Sequence, residues 1–337
     1  MIDQAVSVVI PTYNRARLIA RAVGSALAAI APGDEIIVVD DGSTDDTEHA
    51  LEPYASRIRY VRGENGGAGK ARNRGVREAR NPLVAFLDSD DEWAPDRLVL
   101  GRRLLAARPD VLFCFSDLGS RRDGAPEGHH ALAHWHHDPR PWDEILGPGA
   151  WYSRLAELPP DRADFRVHVG SLYAPLLSAS YVAVQTLLVR RAEAGARLHF
   201  GEGLPTYEDW ECAARLAGGG LAAYLDTETA WQWKHDAPRL TDADELQEAT
   251  TRITVVERVW GTDDEFLARE GEQVARVLRQ QQLIRLRWLL GRGRVRDARA
   301  VLPLVKDAPI SHRVLAHLPS PMVRAGLALR HAVLRRG

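Results

Sequence analysis

The residues best suited to chemistry lie in three polar clusters, each directly after a short apolar run. Asp88-Ser89-Asp90 follows Leu83 to Leu87. Carboxylates one residue apart suit a hard cation such as Mg2+ or Mn2+, which takes oxygen ligands. If a substrate diphosphate supplies further oxygens, a cation held there stabilises a leaving phosphate. Asp and Ser are also common turn residues where strands end, so the triplet alone supports only a turn or a weak metal site. Asp40 and Asp41 follow Ile36 to Val39 in the same way. A carboxylate there suits a nucleobase N–H or a ribose hydroxyl, with a turn or helix cap as the plain alternative. Pro11-Thr12-Tyr13-Asn14 after Val6 to Ile10 is the third cluster.

Two further groups carry charge. Gly69-Lys70-Ala71-Arg72-Asn73-Arg74 opens a basic helix after a glycine-rich turn, and a helix N-terminus with nearby cations attracts anions. It is not a P-loop, because Glu64 stands where that motif needs glycine and Ala71 where it needs Ser or Thr. His129, His130, His134, His136 and His137 fall close together. No cysteine accompanies them and their spacing matches no zinc pattern, so a solvent-facing loop is expected. Trp135, Trp142, Trp151 and Tyr152 would lend such a loop aromatic faces on which a ligand ring could stack.

The elements that would position these groups alternate. Strands are predicted at Val6 to Ile10 (ending at Pro11), Ile36 to Asp40, Ile58 to Val61, Leu83 to Leu87 and Val111 to Phe115. Between them fall helices over Leu18 to Ala29, after Ser43 or Thr44 as cap, over Lys70 to Ala79, and over Asp96 to Ala107. Near-continuous apolar strands separated by helices imply an α/β fold with a mostly parallel sheet covered on both faces. Ligands bind such sheets beyond the carboxyl ends of the strands, which is where all three polar clusters fall. From Gly119 to about Ser178 long loops and short helices are expected. A strand over Val182 to Val189, a helix over Tyr207 to Ala217 and a strand over Leu221 to Leu225 follow, and the chain is helical beyond Asp242.

With 337 residues, 45% hydrophobic and 27% charged, the sequence is that of a globular protein able to bury a core. The two cysteines, Cys114 and Cys212, lie in apolar or helical stretches, which favours buried thiols over a disulfide scaffold. No apolar run approaches the ~20 residues of a membrane span, and the first residues lack a signal-peptide layout. A cytoplasmic location is expected. The net charge of −2 is polarised. From Glu272 to Gly337 fourteen Arg/Lys face three Asp/Glu, a net +11, leaving −13 for the rest. Such a tail suits an anionic partner; a helical tail with a solvated arginine face is the alternative. Ala325 to Leu334, apolar between arginines, could lie in a membrane interface, and oligomerisation by helix packing is open.

VSVVIPTYNR, IIVVDDGSTDDT, ENGGAGKARNRG and VAFLDSDDEWAPDRL resemble, in order and with family-like spacing, the motifs of inverting family 2 glycosyltransferases of the GT-A type. The match covers about the first third of the chain. The resemblance implies that Thr12, Tyr13 and Asn14 line a nucleotide pocket and that Asp40 meets the base. It implies that Asp88 lies near the ribose while Asp90 ligates a metal on the diphosphate. In LPTYEDWECAARLA it implies a catalytic base at Asp209, with Glu208 in support. Thr206-x-x-Asp209 also reads as a capping box, the competing explanation. Trp233-Lys234-His235-Asp236 with Leu240-Thr241 resembles a later family segment, making His235 a candidate metal ligand or diphosphate contact and Lys234 a second cation.

The expected architecture is therefore a GT-A-like catalytic domain over 1–237, nucleotide-binding to 117 and acceptor-binding beyond, then a helical region over 238–337 that is basic from 272. The expected site comprises Asp209 and Glu208 as catalytic residues. Pro11, Thr12, Tyr13, Asn14, Asp40, Asp41, Lys70, Arg72, Asn73, Asp88 and Ser89 would hold the nucleotide sugar, and Asp90, Asp88 and His235 the metal. The expected reaction is inverting transfer from a nucleoside diphosphate sugar, a UDP-sugar above others, to a glycan, lipid-linked or other hydroxyl, with Mn2+ or Mg2+. It belongs to surface polysaccharide or glycoconjugate assembly, with the enzyme peripheral on the inner membrane face. No nucleic-acid partner is expected. The competing readings are a nucleotidyltransferase acting on sugar phosphates and a non-catalytic sugar-nucleotide or glycan-binding module.

Overall fold

The computed structural model describes residues 4–122, 124–136, 138–235 and 244–323, without the side chains of 133 and 134. The expected interfacial segment Ala325 to Leu334, the Asp236 and Leu240-Thr241 motif positions, the His134 side chain and His137 lie outside the described residues. The chain forms two compact units, residues 1–204 with 208–237, and residues 205–207 with 238–337.

The first unit is built on one mixed sheet. Its strands are β1 (Val6–Thr12), β2 (Glu35–Asp40), β3 (Arg59–Arg62), β4 (Leu83–Phe86), β5 (Glu92–Trp93), β6 (Val111–Arg122), β7 (Ala125–Gly128), β8 (Ala150–Trp151), β9 (Arg166–Gly170), β10 (Leu188–Arg190) and β11 (Leu221–Trp233). They run in the order β3-β2-β1-β4-β10-β6-β11-β9-β8, with β5 against β11 and β7 against β6. The first half of the sheet, β3-β2-β1-β4, is parallel throughout. Antiparallel β10 then joins β4 to β6, and β6 and β11 are again parallel. All the parallel strands therefore open onto one edge of the sheet. The core strands carry Val8, Val9, Ile10, Ile37, Val38 and Phe86, each fully buried, and the buried Ser7 of β1 is satisfied by donating to Glu35 at 2.6 Å.

Several predicted boundaries move, each for a local reason. β1 passes through Pro11 and stops at Thr12. Val9 and Pro11 direct their backbone groups toward β4, and β4 has already ended at Phe86, so the missing proline N–H costs no ladder bond. The helix expected at Ser43 or Thr44 begins at Thr47; Ser43 instead accepts from the Asn14 N–H at 2.9 Å. The run Val182 to Val189 is not one strand. Val184–Thr186 forms a 3-10 turn and only Leu188–Arg190 joins the sheet. Carbonyls there are taken by side chains, with Trp93 Nε1 donating to Gln185 at 2.7 Å and Arg97 to Thr186. The stretch expected as long loops and short helices holds short helices at Ala131–His136, Trp142–Ile145 and Tyr173–Leu176, and also the strands β7, β8 and β9. β6 and β11 outrun their apolar stretches because their buried polar groups are satisfied between strands, as in the 2.6 Å Ser116–Thr229 hydroxyl bond.

The second unit is helical over its described residues: Glu245–Val259, Asp264–Gly291, Val295–Val301 and Ile310–His317. Asp244 and Asp263 cap the first two, accepting from Gln247 and Phe266 N–H at 2.9 Å each. Leu286, Leu289, Leu290, Ala298 and Val301 form their shared core.

Candidate active site

The loops after β1 and β2 lock together. Asn14 adopts φ 52, a conformation asparagine tolerates better than most residues. Its Oδ1 accepts from Thr44 N–H at 2.8 Å. Asp40 accepts from Ser43 N–H at 2.7 Å on one oxygen and from the Tyr60 hydroxyl on the other. Asp41 accepts from Gly66 and Gly67 N–H at 2.9 and 2.7 Å. Desolvation raises its pKa, and those two backbone bonds oppose the rise. These contacts shape the entry to the helix Ala68–Glu78, whose N-cap Gly67 needs φ 89. Tyr13, 44% exposed, presents its ring on the same edge. Thr12 is buried and Lys70 exposed.

Arg72 and Asn73 do not face outward from that helix as a free anion site would. Arg72 is buried and bridges two carboxylates, Glu208 at 2.6 Å and Asp88 at 2.7 Å. Burial works against its charge, yet Asp88, Glu208 and Asp209 hold its pKa well above the usual arginine value. Asn73 is also buried. It donates to the Phe200 carbonyl at 2.8 Å and accepts from the Phe200 N–H at 2.8 Å. Arg72 thus ties the end of β4 to the first residue of the helix Glu208–Ala217, and Asn73 ties its own helix to the segment before it.

That helix starts with Glu208 and Asp209. Asp209 is half-buried and accepts from the Trp210 N–H at 2.8 Å. Desolvation first, then the Glu208 charge, raises its pKa to about 7, against the pull of Arg72. The capping-box explanation fails, because the buried Thr206 hydroxyl has no hydrogen-bond partner among the described residues. The residue before Glu208, Tyr207, sits at φ 63. A bulky residue there is strained, and such strain gathers at functional sites.

Asp90 lies between the loop after β1 and the end of β11. Its carboxylate is 2.9 Å from His235 Nε2 and 3.7 Å from Arg15 Nε, while Arg21 donates to its carbonyl at 2.8 Å. Arg21 also stacks on Trp233 at 4.0 Å. Arg15 and Arg21 escaped the residue-by-residue reading; the signal for Arg15 was its place at the end of VSVVIPTYNR. His235 Nδ1 is buried without a hydrogen-bond partner. The Asp90 carboxylate accepts from Nε2–H, and a cation bound here would take that proton's place between the two groups. An oxygen and a nitrogen donor converging this closely fit a divalent cation. Asp88 is less suited, since one of its oxygens is committed to Arg72; desolvation raises its pKa. Among the described residues no three His, Cys, Asp or Glu side chains form a metal cluster, so a cation here would need oxygens from a substrate.

Known proteins resemble the chain in sequence over its first part and in fold over most of its length. Residues 7–146 match the model of glycosyl transferase family 2. An uncharacterized glycosyltransferase of Rickettsia prowazekii is 41% identical over 93 residues, 28% of this chain and 29% of its own. The putative teichuronic acid biosynthesis glycosyltransferase TuaG of Bacillus subtilis is 45% identical over 97 residues, 28% of this chain and 38% of its own. The Escherichia coli chondroitin synthase is 44% identical over 98 residues, 28% of this chain and 14% of its own. The chain thus spans well under half the length of these relatives. The solved structure of Staphylococcus aureus TarS 1–349 with UDP-GlcNAc superposes with a TM-score of 0.60 at 17% identity, covering 92% of this chain and 83% of that one. Residues 7–146 are therefore similar to glycosyl transferase family 2, on a GT-A fold shared with TarS.

Proposed function

We propose that the protein transfers a sugar from a UDP-sugar to an acceptor hydroxyl with inversion, and that Asp209 is the base. The observation that carries this reading is the Arg72 bridge, which ties Asp88 at the end of β4 to Glu208 beside Asp209. A base working near neutrality needs a pKa near 7, which the setting of Asp209 supplies. The acceptor oxygen attacks the anomeric carbon on the face opposite the nucleotide. The new carbon–oxygen bond forms as the bond to the diphosphate breaks, and the hydroxyl proton passes to Asp209. Glu208 and Arg72 hold Asp209 in place and set its proton affinity. Asp90 and His235 would hold a Mn2+ or Mg2+ ion, which offsets charge on the departing diphosphate when bound. Relatives named for teichuronic acid and chondroitin assembly, and a structural neighbour bound to UDP-GlcNAc, support a UDP-sugar donor and polysaccharide assembly.

The test is hydrolysis of UDP-, GDP- and dTDP-sugars with and without Mn2+. Release of UDP from one UDP-sugar, dependent on Mn2+, is the expected result. Turnover requiring a nucleoside triphosphate would favour the nucleotidyltransferase reading, and binding without turnover a non-catalytic module.

The second unit would dock the enzyme on an anionic membrane surface. No helix among the described residues is long and apolar enough to cross a membrane. Yet the helix Ile310–His317 exposes Ile310 at 80% and Val314 at 54%, one turn apart, flanked by Arg313 and His317. Over residues 272–323 ten Arg/Lys face three acids. Aliphatic side chains among cations suit anionic lipid, whereas two copies of so basic a face would repel each other.

A further inference from the structure

Apart from this site, the described residues line an open pocket of about 550 Å3, bounded among others by His129, His130, Arg162, Phe165, Glu228 and Trp231. Its size falls within the ~300–1,000 Å3 range of small-molecule sites. The wall exists because β11 slips register three times against β6, the last two between Leu225 and Glu228 and between Glu228 and Ala230. Bulges of this kind re-aim side chains. Here the slip sets Glu228 directly opposite Asp117, a like-charge pair that costs stability unless offset.

The histidines supply the offset. His130 Nδ1 lies 3.0 Å from Asp117, and His129 Nδ1 lies 3.1 Å from both Glu228 oxygens. His130, at φ 52, also donates its backbone N–H to Glu228 at 2.8 Å. A proton held on Nδ1 by each carboxylate makes Nε2 of the neutral ring an acceptor. Asp164 and Asp226 add further acceptors to the lining. The guanidinium of Arg162 is already engaged by Asp96 at 3.1 Å and by Thr227 and the Glu228 carbonyl at 2.6 and 2.9 Å.

An acceptor-rich wall selects against phosphate, which brings only acceptors and negative charge. Neither do these side chains form a metal cluster. A sugar is the complementary ligand: its hydroxyls donate to the imidazoles and carboxylates, and its apolar face lies on Trp231 or Phe165. The pocket is also connected to the site. Trp231 pairs with Glu92 of β5, two residues beyond Asp90, and β11 ends two residues before His235. Glu228 and His235 are roughly 20 Å apart along the strand.

We propose that this pocket is a remote glycan subsite, gripping an acceptor chain several sugars back from the reacting hydroxyl; it rests on the transfer reading above. The test uses the full chain on a printed array of neutral oligosaccharides of glucose, N-acetylglucosamine, galactose, mannose and rhamnose. UDP-sugar hydrolysis is measured on the same preparation. Wild type binds at least one array glycan. A His129→Ala/Asp226→Asn variant, checked by thermal melting, loses that binding about tenfold or more while hydrolysing donor within about twofold of wild type. Donor hydrolysis with no glycan bound overturns the subsite and leaves the transfer reading standing. Equal glycan binding by a folded variant also overturns it. Glycan binding lost in the variant, without donor hydrolysis in either protein, upholds the subsite and removes the transfer reading.

Discussion

At the scale of residues, Asp209 makes two opposite demands that one substitution separates. Its raised pKa means the native state holds the carboxyl proton more tightly than the unfolded chain does. Stability is therefore lost as pH rises from the unfolded carboxylate range toward about 7. Activity runs the other way, since a base must be ionised. The rate should rise roughly tenfold per pH unit below about 7 and level off above it. Asp209→Asn should cost about 100-fold or more in transfer and yet raise Tm at pH 8 by a few degrees, read by calorimetry. Unchanged transfer with a lower Tm would remove Asp209 from the reaction. Arg72→Met leaves the buried Glu208 and the half-buried Asp88 without this partner, at about 3 kcal/mol by denaturant titration. A purely surface role for Arg72 would leave the midpoint unmoved.

At the scale of elements, packing rather than propensity decides what is tolerated. The helix Ala68–Glu78 lies against β1 through Gly75, where an added Cβ would fall 2.2 Å from a Val9 methyl. Val9 is fully buried and cannot swing away. Gly75→Ala should therefore cost about 1–3 kcal/mol, seen as a lower denaturant midpoint with unchanged slope. The same contrast explains what the amino-acid order revealed. Val6 to Ile10, Ile36 to Asp40 and Leu83 to Leu87 were legible because both faces of those strands are buried. The polar clusters at their ends were legible for the same reason. The full lengths of β6 and β11 were hidden, since Ser116, Asp117, Glu228 and Thr229 are matched by partners across the sheet that sequence order does not show. Arg72 was readable as a cation but not as a bridge, because Glu208 lies 136 positions away. The role of His129 and His130 depended on a register slip that no local pattern announces.

At the scale of the whole molecule, charge polarity gives the docking reading a direct measurement. The protein should sediment with vesicles of phosphatidylcholine containing one-third phosphatidylglycerol and stay in solution with phosphatidylcholine alone. High salt should release it, and Ile310→Ser with Val314→Ser should weaken the association several-fold. Equal recovery of wild type and variant would assign those side chains no part in it.

The Arg72 bridge has a thermodynamic corollary. One guanidinium is shared between Asp88, on the proposed donor side, and Glu208, beside the proposed base. Whatever changes the field at Asp88 must change how tightly Asp209 holds its proton, so occupancy at one place is written into the protonation of the other. Binding of a nucleotide sugar near pH 7 should therefore exchange protons with solvent. Its calorimetric heat should differ between buffers of different ionisation enthalpy, and Asp209→Asn should make that difference vanish.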